Sequence, residues 1–115
     1  MSADLAAFYR RYITCCNEHR FGDLGEFVAR DVSVNGEACG LAKYAAGLQA
    51  VVDEVPDFHW DVQQILRDRR SLAVRLIDTG TTRSGRAVWV QELAMYDVPD
   101  GRIAAVWGDL DRTRL

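Results

Sequence analysis

From Phe58 to Leu66 the residues alternate in character, with Phe58, Trp60, Val62, Gln64 and Leu66 in one phase and His59, Asp61, Gln63 and Ile65 in the other. A period of two is that of a strand with one face on a core. The first phase is expected to face inward. After a charged turn at Asp68 to Ser71, Leu72, Val74 and Leu76 carry the inward register into Asp78, with Arg75, Ile77 and Thr79 outward. Arg83-Ser84-Gly85-Arg86 then reads as a hairpin connection to Ala87–Val98, and Pro99-Asp100-Gly101 as a tight turn into the last strand, ending at Asp111. Counting back across that turn sets Leu93 opposite Trp107, Gln91 opposite Asp109 and Trp89 opposite Asp111, six side chains on one side of the sheet. Counting across Arg83–Arg86 sets Asp78 opposite Gln91. Asp78, Gln91 and Asp109 would then form a polar row over three strands, a register that a bulge in any strand would break.

The first half has a different period. Leu5, Phe8, Tyr9, Tyr12, Cys16 and His19 recur at three- and four-residue steps behind Ser2 as N-cap, which predicts a helix with Arg10, Arg11 and Glu18 on its wet face. Gly22 breaks it, and Asp23 is placed to cap a shorter helix with Leu24, Phe27 and Val28 inside. A short strand from Asp31 to Asn35 and a glycine-bounded loop, Gly36–Gly40, precede a third helix, whose stripe is Tyr44, Leu48, Val51, Val52 and Val55 and whose stop is Pro56. Helices early and strands late indicate an α+β fold. Its helices would cover one face of a curved sheet and leave a cavity between the layers.

At 115 residues the chain is a single domain, with 49% hydrophobic and 27% charged residues. A net charge of -3 argues against a nucleic-acid surface. Cys15, Cys16 and Cys39 make neither a disulfide framework nor a zinc spacing, which points to a reduced, cytoplasmic setting. No run is long enough to span a bilayer, and no leader pattern is present, so a soluble, unprocessed protein is expected. His19 and His59 are too few for a histidine metal site, and no metal is expected.

The candidate chemistry lies on the mixed face of the last hairpin. A face meant only for packing has little use for Asp109, Asp111 and Gln91, because an unpaired buried carboxylate is costly. The other reading is that the aspartates fray into solvent at the strand end. In a pocket, a carboxyl against the Trp89 and Trp107 rings would be desolvated and readier to hold a proton. Gln91, Asn35, Tyr9 and Tyr12 are candidate donors to a developing oxyanion, and an Asp78 or Asp109 in the same cavity would compete for one proton. The other phase of the sheet, His59, Ile65, Ile77, Val88, Val90, Ala94, Tyr96 and Val106, is read as an outer face too apolar to be left in water.

The order of elements, with Ala29-Arg-Asp31-Val32 leading into Asn35-Gly36, Val55-Pro56-Asp57-Phe58 before a strand, and Asp100-Gly101-Arg102-Ile103 followed by Trp107-Gly-Asp-Leu-Asp111, resembles the SnoaL-like polyketide cyclases of the nuclear-transport-factor-2-like fold and the related predicted ester cyclases. The resemblance implies a cone of three N-terminal helices on a curved, mostly antiparallel sheet. It also implies a cofactor-free intramolecular aldol closure, with Asp111 as general acid/base, Asn35 and Gln91 near pocket positions, and a hydrophobic small-molecule ligand. The chain departs from the pattern at Leu93, where a polar histidine would serve a cyclase, and in ending four residues after Asp111. Homodimers through the outer sheet face are common in such domains. Two functional classes follow: a cyclase or isomerase acting on a polyketide-like carbonyl compound, or a non-catalytic dimeric module that binds a hydrophobic molecule.

Overall fold

The computed structural model describes residues 4–109. Helix α1 (Leu5–Asn17) is capped by Asp4, whose carboxylate accepts the Ala7 amide proton at 3.0 Å; Ser2 lies outside the described residues. Leu5, Phe8, Tyr9, Tyr12, Ile13, Cys15 and Cys16 form its buried stripe. The helix ends before His19, which takes a positive φ of 56° and stacks on Phe21. The expected second helix is a 3-10 helix, Phe21–Glu26, because two glycines in six residues leave too little helical propensity for α-helical turns to nucleate. Phe27 is the residue that closes it, and Val28 begins a strand instead of continuing the helix.

Strand β1 (Val28–Val34) starts three residues earlier than its alternation suggests and turns through Asn35-Gly36, both at positive φ, into the two-residue strand β2 (Glu37–Ala38). Helix α2 (Leu41–Glu54) follows, with Val51 and Val52 buried and Tyr44, Ala45 and Leu48 half-buried against the core. The strands β3 (His59–Asp68), β4 (Ser71–Thr81), β5 (Ala87–Asp97) and β6 (Ile103–Gly108) complete a six-stranded sheet in the order β2-β1-β6-β5-β4-β3. Among the described residues only the β1–β6 pair is parallel. This is an α+β fold, with the helices packed on a curved, mostly antiparallel sheet. Its core includes Tyr9, Leu24, Val28, Val32, Val55, Leu72, Leu76 and Ile103, all at most 1% exposed.

Three registers differ from the count along the sequence. The β4–β5 connection has three residues, Arg83-Ser84-Gly85, closed by Thr82 N–H to Arg86 C=O at 2.8 Å, with Gly85 at φ 91°. Arg86 belongs to the ladder side. Asp78 therefore pairs with Val90 instead of Gln91, and a one-residue shift turns every β5 side chain to the other face. The β5–β6 connection is wider than Pro99–Gly101, so Trp107 pairs with Met95 instead of Leu93; a shift of two leaves the faces unchanged. In β3 a bulge between Val62 and Gln64 brings Ile65 toward the core and leaves Gln64 and Leu66 exposed.

Candidate active site

The inward phase of β5 is Val88, Val90, Glu92, Ala94 and Tyr96, and that of β4 is Leu72, Val74, Leu76 and Asp78. Among these apolar neighbours Glu92 and Asp78 are the two carboxylates. Asp78 is 0% exposed. Glu92 pairs across with Leu76, one diagonal step along the ladder from Asp78, so both acids occupy one face of the sheet.

The helices set phenols against that face. Tyr9 and Tyr12 lie three apart on α1, Tyr44 on the inner stripe of α2 and Tyr96 on β5, so all four tyrosines of the chain converge from three elements. The Tyr9 hydroxyl donates to the Tyr96 hydroxyl at 3.2 Å, and the Tyr12 and Tyr44 hydroxyls share a 2.5 Å hydrogen bond. The rings of Tyr9 and Tyr96 are 4.9 Å apart and those of Tyr9 and Tyr12 are 5.6 Å apart. Burial pushes all four phenols above their ordinary value of 10.0, and the Glu92 charge adds to the rise at Tyr9, Tyr44 and Tyr96. Burial likewise raises the Cys16 thiol to about 12, with Glu92 a smaller contributor. The phenols are therefore protonated donors over the physiological range.

Glu92 is the acceptor in this setting. Its Oε1 is fully buried and receives no hydrogen bond from the described residues. Two hydrogen bonds join the four hydroxyls in pairs, and the Cys16 thiol is hydrogen-bonded with Tyr12 beside them. A buried carboxylate oxygen short of a donor, close enough for its charge to act on the Tyr9, Tyr44 and Tyr96 phenols, is an arrangement that an incoming carbonyl compound or water would complete. No group of three His, Cys, Asp or Glu among the described residues is assembled to hold a metal ion. A cleft of about 570 Å³ opens between α2 and the β1–β2 turn, lined in part by Val34, Asn35, Glu37, Lys43, Leu48 and Tyr44. Tyr44 thus belongs both to the cleft wall and to the phenol cluster.

The SnoaL-like polyketide cyclase family model matches residues 6–115. The chain belongs to the SnoaL-like polyketide cyclase family. A SnoaL-like polyketide cyclase of Agrobacterium tumefaciens is 29% identical, with a TM-score of 0.90 over 98% of this chain and 95% of that one. IdmH of Streptomyces antibioticus is 20% identical at a TM-score of 0.86, covering 97% and 95% of the two chains. An NTF2-like protein of unknown function from Burkholderia pseudomallei is 12% identical, with a TM-score of 0.81 over 96% and 92%. At these lower identities the likeness is one of fold. No functionally curated protein matches the chain.

In this SnoaL-like chain the expected site residues divide between two faces. Tyr9, Tyr12 and Asp78 are buried on the concave side. Trp89, Gln91, Leu93, Trp107 and Asp109 do share one side, as the hairpin count suggests, but it is the outer one. Trp89 is 67%, Leu93 49% and Trp107 44% exposed. Neither tryptophan lines the phenol cluster, and Val88, Val90, Ala94, Tyr96 and Val106, expected outside, are core. The reason is the parity of the Arg83–Gly85 loop. Asp109 serves the strand end: its Oδ1 accepts the Leu93 amide proton at 2.7 Å, and its own N–H donates to the Leu93 carbonyl at 3.1 Å. Asn35 uses its side-chain oxygen to accept the Gly108 amide proton at 3.0 Å, tying β1 to β6 at the mouth of the cleft. Asp111 lies outside the described residues. Glu92 and Tyr44 were not among the expected site residues. The signal for Glu92 was one acid in the phase of Val88, Val90, Ala94 and Tyr96.

Proposed function

We propose that the chain is a small cofactor-free enzyme of the cyclase or isomerase type, acting on a hydrophobic, polyketide-like carbonyl compound, with Glu92 as its acid/base. The family supports the reaction class. The buried Glu92 oxygen, whose charge acts on the Tyr9, Tyr44 and Tyr96 phenols, supports the assignment of the base. Glu92 takes a proton from the carbon beside the carbonyl, the C–H electron pair moves to the carbonyl oxygen, and a phenol donates a hydrogen bond to the enolate. Return of the proton at another carbon isomerises the substrate. Attack of the enolate carbon on a second carbonyl closes a ring and passes the proton to the new alkoxide. Asp111 is the second candidate base, because the Trp107-Gly-Asp-Leu-Asp111 run matches the pattern of the family's final strand.

A generic ring ketone tests this without the natural substrate. Deuterium uptake beside the carbonyl of β-tetralone, followed by NMR in D2O, should be accelerated by the protein, and Glu92→Gln should cut the enzymatic rate by about 10²–10⁴. If Asp111→Asn abolishes exchange and Glu92→Gln does not, the base is Asp111. If the wild type accelerates no exchange, the cyclase reading gives way to the non-catalytic binding module.

The partner proposed for the outer sheet face is a second copy of the chain. Trp89, Leu93, Met95 and Trp107 form a flat apolar surface there, each 44% exposed or more, a concentration that water does not favour. Light scattering at micromolar concentration should return the mass of a dimer, and a monomer overturns the assignment.

A further inference from the structure

The inner stripe of α2 contains one position that packing does not explain. Tyr44, Gly47, Leu48 and Val51 follow at steps of three, one and three, the spacing of a single helix face. Leu48 and Tyr44 pack against the core and Val51 is buried in it. Gly47, between them, would bring a new Cβ within 4 Å of nothing. Glycine in the middle of a helix is unfavourable relative to alanine, and the usual compensation is a backbone approaching too closely for a side chain. Gly80 shows that compensation, since a Cβ there would lie 2.4 Å from Val55 Cγ1. Gly47 has none, and it lines the cleft between α2 and the β1–β2 turn. Its volume of about 570 Å³ falls within the range of small-ligand sites.

We propose that Gly47 is a seat kept open for the flat ring system of a small carbonyl compound, which enters over α2 and meets the Tyr44 hydroxyl at its inner end. Val34, Leu48 and Val51 supply an apolar wall, Asn35, Glu37 and Lys43 also line the cleft, and the Tyr44 hydroxyl is the polar group where the cleft meets the phenol cluster. An apolar wall with a phenolic hydroxyl at its inner end matches a ring with a carbonyl acceptor at that edge. Gly47 then sets how wide a ring is accepted, and Tyr44 sets which edge points inward. The inference rests on the carboxylate and phenol site only for the direction in which the carbonyl points; the location of the ring stands on the helix face.

Prodan, a fluorescent naphthyl ketone, is the probe, and Cys39 is the reporter. Cys39 lines the same cleft and is half-buried, whereas Cys15 and Cys16 are buried. Saturating prodan should slow iodoacetamide alkylation of Cys39 by several-fold in the wild type. Gly47→Leu, which introduces a helix-favouring residue, should weaken prodan binding by at least about tenfold at a thermal midpoint no lower than that of the wild type. Glu92→Gln should keep both prodan binding and Cys39 protection. Loss of the β-tetralone activity in that variant with protection retained upholds the seat independently of the acid/base reading. Prodan binding that leaves Cys39 equally reactive, or that Gly47→Leu does not change, overturns the proposal. So does the absence of prodan binding to the wild type. Should Gly47→Leu fail to fold, Gly47→Ala takes its place, and prodan binding that it leaves unchanged overturns the proposal.

Discussion

The two faces of β5 are both mostly apolar and have opposite fates. Val88, Val90, Glu92, Ala94 and Tyr96 face the helices, while Trp89, Gln91, Leu93 and Met95 face outward. The outward set holds the larger apolar side chains, yet Trp89 is 67% and Met95 51% exposed. Burial here follows register, and register follows the loop before the strand. The same contrast separates the polar groups. An outward amide such as Gln91 is in an ordinary environment, whereas an inward carboxylate such as Glu92 is held at a cost, which makes it the one to examine for chemistry.

The largest expected difference between the faces is catalytic. Gln91→Ala should leave the β-tetralone exchange rate within about twofold, beside the loss of about 10²–10⁴ expected of Glu92→Gln. Next is packing, with one residue type on both sides. Leu76→Ala, at 1% exposure, should cost about 2–5 kcal/mol in urea unfolding, and Leu93→Ala, at 49%, no more than about 0.5 kcal/mol; equal losses would erase the contrast. The pH dependence comes third. Tyr9, Tyr12 and Tyr96 keep their protons in the fold above the ordinary value of 10.0, while the unfolded chain gives them up. The unfolded state then binds fewer protons, so stability is fully present below pH 10 and falls above it, by up to about 1.4 kcal/mol per pH unit for each phenol. Tyrosinate absorbance should rise together with loss of the folded circular-dichroism signal; ionisation well before unfolding would show that the phenols are wetter than the fold implies. Last, Gly47→Ala should raise stability by about 0.5–1 kcal/mol while weakening prodan binding, a gain in one property at the expense of the other.

Much of the fold was legible because period is a local property. The inward phase Leu72, Val74, Leu76 and Asp78 follows from alternation alone, and α1 and α2 from three- and four-residue steps. The face of β5 was not legible in the same way, since both of its phases are apolar and only the choice between Ser84-Gly85 flanked by two arginines and a loop of Arg83–Gly85 decides between them. The bulge in β3 has no glycine to announce it; Gln63 and Gln64 give no sign of which residue is the extra one. The phenol cluster was half visible. Tyr9 and Tyr12 share a helix face in any reading, but Tyr44 and Tyr96 join them only through tertiary packing, and Glu92 becomes notable only once the faces are known.

The three-residue loop Arg83-Ser84-Gly85 carries a consequence for how this protein can change over time. Strand parity makes the register that this loop sets an all-or-none choice: a one-residue slip of β5 against β4 would carry Glu92 and Tyr96 into solvent and send Trp89 and Gln91 among the tyrosines. A homologue with one residue more or fewer at this turn must absorb it in the loop or as a bulge, or else rebuild its interior from the other phase of the strand.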